Sequence, residues 1–446
     1  MFETPIGNLI IPLIFISFFL IILSLVIFLR TNYFFKYPTP LQFFFIFFVI
    51  YNVLGWPFVL EGMSHLGQIN YDESFYIVFF FYIHLCLLSM ALGALWANLL
   101  TGARKSDIAQ FYLKPSEEKK YSIYRPFFIA SLLILGWFSL KNLNKIFTFF
   151  TPEYYILRQE IAQEGNYFAY IMSKALVPFL GTYAIGYIHI YFRRFKYLIT
   201  FLIIFLTLLG SLYTFQKSPF VLSLLTIGLF LLLLYRKSLK LKDYFLLILF
   251  ALLIPIFISW FSSGGIDIKT LIMAYFDRLI LIGNFLDYEA MYLAHNVGSL
   301  FLGGTSFPLL FRGTELYNDL GSRLWIELFP DMYNAGKIGT ANTCFITALY
   351  WDFGFIGGII GSFFFGFFLQ LVQILLLRSS KDIFVLSTFA TLSVLALKFN
   401  YTHLGTALLS EGFGVILLIF LTFIFLKKLI KFNRVKYNVW NIRNSI

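Results

Sequence analysis

Charge is scarce in this chain. Asp, Glu, Lys and Arg supply only 13% of its 446 residues, against about 25% in a soluble domain. That shortage excludes a water-soluble enzyme, a disordered tail and a coiled coil. Cysteine is nearly absent, and Cys86 and Cys344 form no disulfide or ligand pattern. The five histidines have no metal-ligand spacing, and no nucleophile motif is present. His84 and His189 lie in apolar runs, where they are expected to hydrogen-bond within a bundle. Internal repeats, Pro- or Ser-rich linkers and low-complexity tracts are also missing, so one membrane domain over 1–446 is the simplest organisation. The opening MFETPIGN carries an acid and no cation, and so lacks the basic region of a signal peptide.

Apolar residues are abundant instead: 60% of the chain, with 21% aromatic and a mean hydropathy of +0.82. Crossing a bilayer takes about 20 apolar residues. Such stretches occur at 8–29, 41–60, 75–99, 126–140, 167–192, 197–215, 219–235, 244–261, 344–377, 383–399 and 404–426. The expected fold is all-α, a polytopic integral membrane protein of about eleven transmembrane helices. Leu271–Leu286 and Val297–Phe311 are apolar enough to lie in the interface or dip into the membrane, and the count becomes thirteen if both cross. The run 344–377 exceeds one span, so its first turns are expected outside the hydrocarbon.

Formal charge is +12. Most of the cations fall in loops that follow odd-numbered spans, such as Arg104, Lys105 and Lys114, or Arg236, Lys237 and Lys240, and in a basic tail over 427–446. The first opposite loop, 61–74, has none. The positive-inside rule then places the N-terminus outside and the C-terminus in the cytoplasm. The surplus therefore reads as a topology signal, and nucleic acid is not an expected partner. Two outer segments stand out, a short one at 141–166 and a large periplasmic loop at 262–343, and long loops are usually functional.

Eleven cations lie on the wrong side: Lys141, Lys145, Arg158, Lys174, Lys217, Lys269, Arg278, Arg312, Arg323, Lys337 and Lys398. Cations outside, near apolar sequence, run against insertion preference and cost free energy unless they meet an anion. Snorkelling or pairing with the eight acids of 262–343 would explain any one of them. For the set, an anionic ligand at the outer face is the better explanation. Lys174 lies two turns into its span, about 10 Å deep, where a charge is a functional candidate by default. In Tyr213-Thr-Phe-Gln-Lys-Ser-Pro-Phe220, Ser218 is expected to cap a helix with Pro219 at its first position. The free amides there would sit beside the Lys217 ammonium, a combination suited to phosphate. Arg158 belongs to a cluster with Glu160 and Glu164, and Arg312 and Arg323 lie beside glycines. Arginine suits bidentate contact with phosphate or carboxylate.

Gly354/Gly358 and Gly357/Gly361 are small-xxx-small pairs that let helices pack closely, with Asp352 placed to hold an outer cation. Outer acids and histidines include Asp72, Glu73, Asp277, Asp287, Glu289, His295, Glu315, Asp319, Asp331 and His403. A general base needs geometry that spacing does not supply.

The layout resembles the bacterial oligosaccharide repeat unit polymerases of the Wzy type, which build O-antigen or capsule. The resemblance rests on the span pattern and the late outer loop. It rests also on Arg158…Gly165 leading to Pro178, on the turn Gln216-Lys217-Ser218, and on Gly339-Thr-Ala-Asn-Thr with Tyr350-Trp-Asp-Phe-Gly354. Some members carry Arg where this chain has Lys217, which keeps the charge but loses the bidentate fork.

The resemblance implies a multi-pass protein of the bacterial inner membrane that acts at the periplasmic face with no cofactor and no metal. The donor would be a glycan on undecaprenyl pyrophosphate and the acceptor one repeat unit on the same carrier, with a chain-length regulator as partner. Fixed cations would stabilise the departing pyrophosphate. The candidates are Arg158, Lys217, Arg278, Arg312 and Arg323, then Lys174, Lys337 and Lys398, with His295, Glu315 or Asp319 activating the acceptor hydroxyl. Rival readings are an O-antigen ligase with the same leaving group and a lipid-linked oligosaccharide flippase.

Overall fold

The computed structural model describes residues 7–33, 36–59, 72–114, 124–141, 166–214, 216–236, 267–277, 282–298, 300–336 and 339–443, with isolated positions between them. The expected span 244–261 and most of 141–166 lie outside the described residues, as do Arg158, Arg278 and Lys337. Among the described residues there is no strand. The helices are α1 (Gly7–Thr31), α2 (Pro40–Phe48), α3 (Trp56–Val59), α4 (Glu73–Thr101), α5 (Lys105–Leu113), α6 (Tyr124–Leu140), α7 (Tyr167–Tyr191), α8 (Lys196–Ser211) and α9 (Lys217–Tyr235). After them come α10 (Ile268–Phe276), α11 (Ile282–Val297), α12 (Leu320–Leu328), α13 (Pro330–Asn334), α14 (Phe345–Arg378), α15 (Ile383–Leu395), α16 (Leu404–Leu408) and α17 (Phe413–Arg443).

Among the described residues, seven helices are long and apolar enough to cross a membrane, the pattern of a polytopic membrane protein. Pro40–Val53 and Tyr124–Leu140 are shorter apolar helices. α1 exposes Ile11, Phe15, Phe18, Phe19 and Ile22 along its length. A surface of that kind suits lipid and not water.

Local chemistry sets the ends. Thr39 accepts from the Gln42 amide as Pro40 opens α2, and Asp72 accepts from the amides of Ser74 and Phe75 to open α4. α4 stops at Gly102, whose φ of +63° is left-handed. At α9 the structure differs from the expectation. The helix begins at Lys217 behind Gln216, which supplies no side-chain cap, so Ser218 and Pro219 lie inside the first turn.

α4 and α14 form the closest pair. A Cβ added at Gly93 would sit 2.0 Å from the Phe363 carbonyl oxygen, and one at Gly366 2.1 Å from that of Met90. A buried amide fastens the same seam, with Gln370 donating to Asn98 at 2.6 Å, while Gln373 donates to Asn32 at 2.6 Å and ties α14 to the end of α1. His84 hydrogen-bonds with Ser17 and His189 with Thr200, the bundle roles expected of them.

α14 is not a single rod: Gly354 (φ +69°, ψ −169°) breaks it into two arms. Phe345 and Phe365 bring their ring centroids within 4.2 Å. Leu349 packs so closely on Gly361 that an added Cβ would meet it at 2.8 Å. The first arm therefore runs back along the second. Phe365 lies about 20 Å from the Arg378 end by helical rise, so the extended segment 339–344 descends into the bundle before the arm climbs out. The glycines expected to form one packing stripe divide the work: Gly354 turns the chain, Gly358 seats Tyr82, and Gly361 seats Leu349.

Candidate functional site

A cavity of about 350 Å³ opens between the descending segment, the start of α7, the loop before α12 and the turn from Tyr401 to Glu411. That is the small end of the range for ligand pockets, about 300–1,000 Å³. It carries the carbonyl, amide and hydroxyl groups of Thr340, Asn342, Thr343, Thr402, Thr406 and Ser410, and the rings of Tyr167, Tyr170, Tyr317 and Tyr401. Such a lining suits a polyhydroxylated ligand.

Three charged side chains meet at its wall, where Lys174 and Glu411 line the cavity and Lys398 contacts Glu411. Lys174 Nζ lies 2.5 Å from Glu411 Oε1, and Lys398 Nζ lies 3.0 Å from Glu411 Oε2. All three residues are buried. Each charge is set where α-helical geometry fails. Lys174 sits in a π-turn, Met172–Leu176, of the kind often found at functional sites. Lys398 sits in the 3₁₀ turn Ala396–Asn400 that ends α15. Glu411 precedes Gly412, whose φ of +88° turns the chain between α16 and α17. The ammonium groups also lie over rings, Lys174 5.1 Å from the centroid of Tyr170 and Lys398 5.1 Å from that of Tyr401.

His403 faces the same cavity and shares a 3.2 Å hydrogen bond between Nε2 and Thr343 Oγ1. Burial pushes its imidazole below the ordinary range, against the opposing pull of Asp319 and Asp352. The ring is therefore neutral at pH 7 and available as a proton acceptor. Asp319 lines the cavity as well, and its carboxylate caps α12, accepting from the Ser322 amide at 3.3 Å and hydroxyl at 2.8 Å.

A hydrogen-bond frame holds these walls. Ala341 donates its amide to the Gly321 carbonyl at 2.9 Å, which joins the descending segment to α12. Asp287 on α11 accepts from the Cys344 amide at 2.8 Å and the Thr347 hydroxyl at 2.7 Å, fixing the bottom of that segment. Asp352 accepts from the amides of Thr305 and Ser306 at 2.8 and 2.7 Å. Ser306 in turn accepts from the Gly405 amide at 2.7 Å. Asp352 thus anchors a loop that supports the His403 turn. Among the described residues no cation forms an ion pair with it.

Of the residues expected at the site, Lys174, Lys398 and Asp319 are brought together. The others are not. Arg312 is exposed on the loop that carries Tyr317, outside the cavity lining, and Glu315 is exposed beside it. Arg323 lies with its guanidinium 5.2 Å from the Trp351 ring centroid. His295 is exposed, its ring 5.1 Å from that of Phe75. Lys217 opens α9, and the position of its side chain is outside the described residues. Two important residues were not singled out by sequence reasoning. Glu411 had a signal, being the sole acid within the apolar run 404–426. His403 stood among the outer acids and histidines without a feature to set it apart.

No protein-family model, curated protein or solved structure matches the chain. Among the described residues no group of three or more His, Cys, Asp or Glu is placed to hold a metal ion.

Proposed function

We propose that the chain is a membrane glycosyltransferase that extends lipid-linked oligosaccharides by one repeat unit at a time, with undecaprenyl pyrophosphate as the leaving group. The observation that supports this best is the convergence of Lys174 and Lys398 on Glu411, in the wall of a cavity lined by hydroxyl-bearing and tyrosine residues. In this reading the chain spans a bacterial inner membrane about eleven times, N-terminus outside and C-terminus inside, and the cavity opens to the periplasm. The segment 339–353 is then re-entrant.

The acceptor's non-reducing-end hydroxyl attacks the donor's anomeric carbon. A carbon–oxygen bond forms there, the bond to the pyrophosphate breaks, and the hydroxyl proton passes to His403 or Asp319. Negative charge grows on the departing pyrophosphate, where a fixed ammonium stabilises the transition state more than the ground state. Removing one such partner lowers the rate by about 10²–10³. The surrounding hydroxyls and tyrosine faces hold the sugars, and the apolar helices receive the lipid tail.

A deletion strain rescued by plasmid tests the reading, with surface glycan resolved on a gel. Loss of a polymerase leaves glycan of one repeat unit, whereas loss of a ligase strips it from the core altogether. Purified protein in liposomes separates the third alternative. Movement of the lipid-linked unit across the bilayer without any chain growth would establish a flippase and end the polymerase proposal.

A further inference from the structure

His403 and Asp319 both line the cavity, but they are held differently. The Asp319 carboxylate opens α12: Oδ1 accepts from the Ser322 amide at 3.3 Å and Oδ2 from the Ser322 hydroxyl at 2.8 Å. A proton arriving there would weaken the cap. The His403 imidazole makes one hydrogen bond among the described residues, between Nε2 and Thr343 Oγ1 at 3.2 Å. We propose that Thr343 is a positioning residue that accepts from His403 Nε2–H, so that Nδ1 keeps its lone pair and is the atom that takes the proton from a sugar hydroxyl in the cavity.

The geometry on each side of the bond supports that assignment. Thr343 is 1% exposed, and its segment is pinned on both flanks, by the Ala341 amide on the Gly321 carbonyl and by the Cys344 amide on Asp287. Cys344 Sγ also donates to the Phe399 carbonyl at 3.6 Å, which ties that segment to the turn leading to His403. On the other side, His403 immediately precedes α16, and the Gly405 amide donates to the Ser306 carbonyl at 2.7 Å. Gly405 packs so closely there that an added Cβ would meet Ser306 O and Phe307 Cα at 3.0 Å. Both partners are therefore fixed by backbone contacts of their own. A neutral imidazole carries one N–H, and a buried donor costs free energy unless it meets an acceptor. Thr343 is that acceptor at Nε2, which leaves Nδ1 unprotonated.

The identity of the sugar hydroxyl, a glycan acceptor, rests on the function proposed above. In that reaction the O–H bond breaks and the acceptor oxygen bonds to the anomeric carbon. The pyrophosphate leaves with the electron pair of its broken bond, and the proton stays on Nδ1 until water removes it. Charged groups around the resulting imidazolium are Asp319 at the start of α12, Asp352 on α14, and the cluster of Lys174, Lys398 and Glu411. Removing the Thr343 hydroxyl has an effect whose sign depends on which partner donates. Where Nε2–H donates, the bond persists and strengthens in the imidazolium, so its loss makes His403 harder to protonate. Were the threonine to donate to Nε2, the bond would exist only in the neutral ring, and its loss would make protonation easier.

The experiment records NMR spectra of the ring nitrogens of the five histidines in the full-length protein in liposomes across a range of pH, with His403→Gln assigning the signal. The wild type is expected to show the Nε2–H tautomer at neutral pH. Thr343→Val, which keeps the shape and loses the hydroxyl, moves the hydrogen to Nδ1 and lowers the titration midpoint by about 0.5–1 pH unit. Thr343→Ser restores both. In chain-growth assays Thr343→Val lowers kcat by about 10–100-fold with KM little changed, and the acid limb of its pH profile moves with the midpoint. An Nδ1–H tautomer in the wild type, or a midpoint in Thr343→Val that rises or does not move, overturns the proposal. If Thr343→Val fails to fold, the wild-type tautomer still decides. Chain growth by a wild type with the Nδ1–H tautomer removes the proposal and leaves the polymerase. The Nε2–H tautomer without chain growth leaves the orientation of the imidazole and removes the polymerase.

Discussion

The rings of Phe345 and Phe365 meet at 4.2 Å, where one continuous helix would hold them about 30 Å apart. The turn that allows this is Gly354, at φ +69° and ψ −169°, a region almost confined to glycine. Space is not the constraint, since the nearest atom to an added Cβ, Leu300 Cδ2, is 4.0 Å away. Gly354→Ala should therefore destabilise the protein through the backbone alone, by about 1–3 kcal/mol. Thermal unfolding in detergent measures it, and a melting temperature equal to wild type would show that the hairpin turn carries no strain.

Asp352 offers a second test of the same frame. It is buried and accepts two backbone amides, those of Thr305 and Ser306. Asparagine retains one acceptor oxygen and turns a donor toward the other amide. Leaving a buried donor unsatisfied costs about 1–3 kcal/mol. Hydrogen exchange across 300–306 should rise in Asp352→Asn while exchange in α4 is unchanged.

His403 gives a pH dependence whose sign is fixed by its burial. Its folded imidazole resists protonation, while in the unfolded chain it titrates near 6.5. Unfolding therefore takes up a proton below that pH, and this part of the stability is complete above about pH 6.5 and is lost as the pH falls. Wild-type melting temperature should drop on acidification more steeply than that of His403→Gln. Parallel curves would mean that His403 is not held neutral.

Much of the fold is legible in the sequence, because apolar run length and charge sidedness are local properties. The spans that become α1, α4, α7, α8, α9 and α15 are placed within a few residues by hydropathy alone. The Gly354 hairpin is not, since a glycine that turns the chain and a glycine that seats a neighbouring helix look identical in a GxxxG pattern. The site divides in the same way. Lys174 and Lys398 are visible as charges at the wrong place, but their common partner Glu411 becomes apparent only when three helix irregularities meet in space. His295 is exposed in the last turn of α11 and Glu315 on the loop before α12, placements that residue type and spacing do not encode.

The central claim is that the buried lysine facing the cavity, and not the exposed arginines nearby, stabilises the departing diphosphate. The most direct measurement is the rate of chain growth on lipid-linked repeat units in liposomes for Lys174→Met beside Arg312→Ala. The account predicts a fall of about 10²–10³ for Lys174→Met and a change of only a few-fold for Arg312→Ala. A normal rate in Lys174→Met, or an equal collapse in both variants, would contradict it.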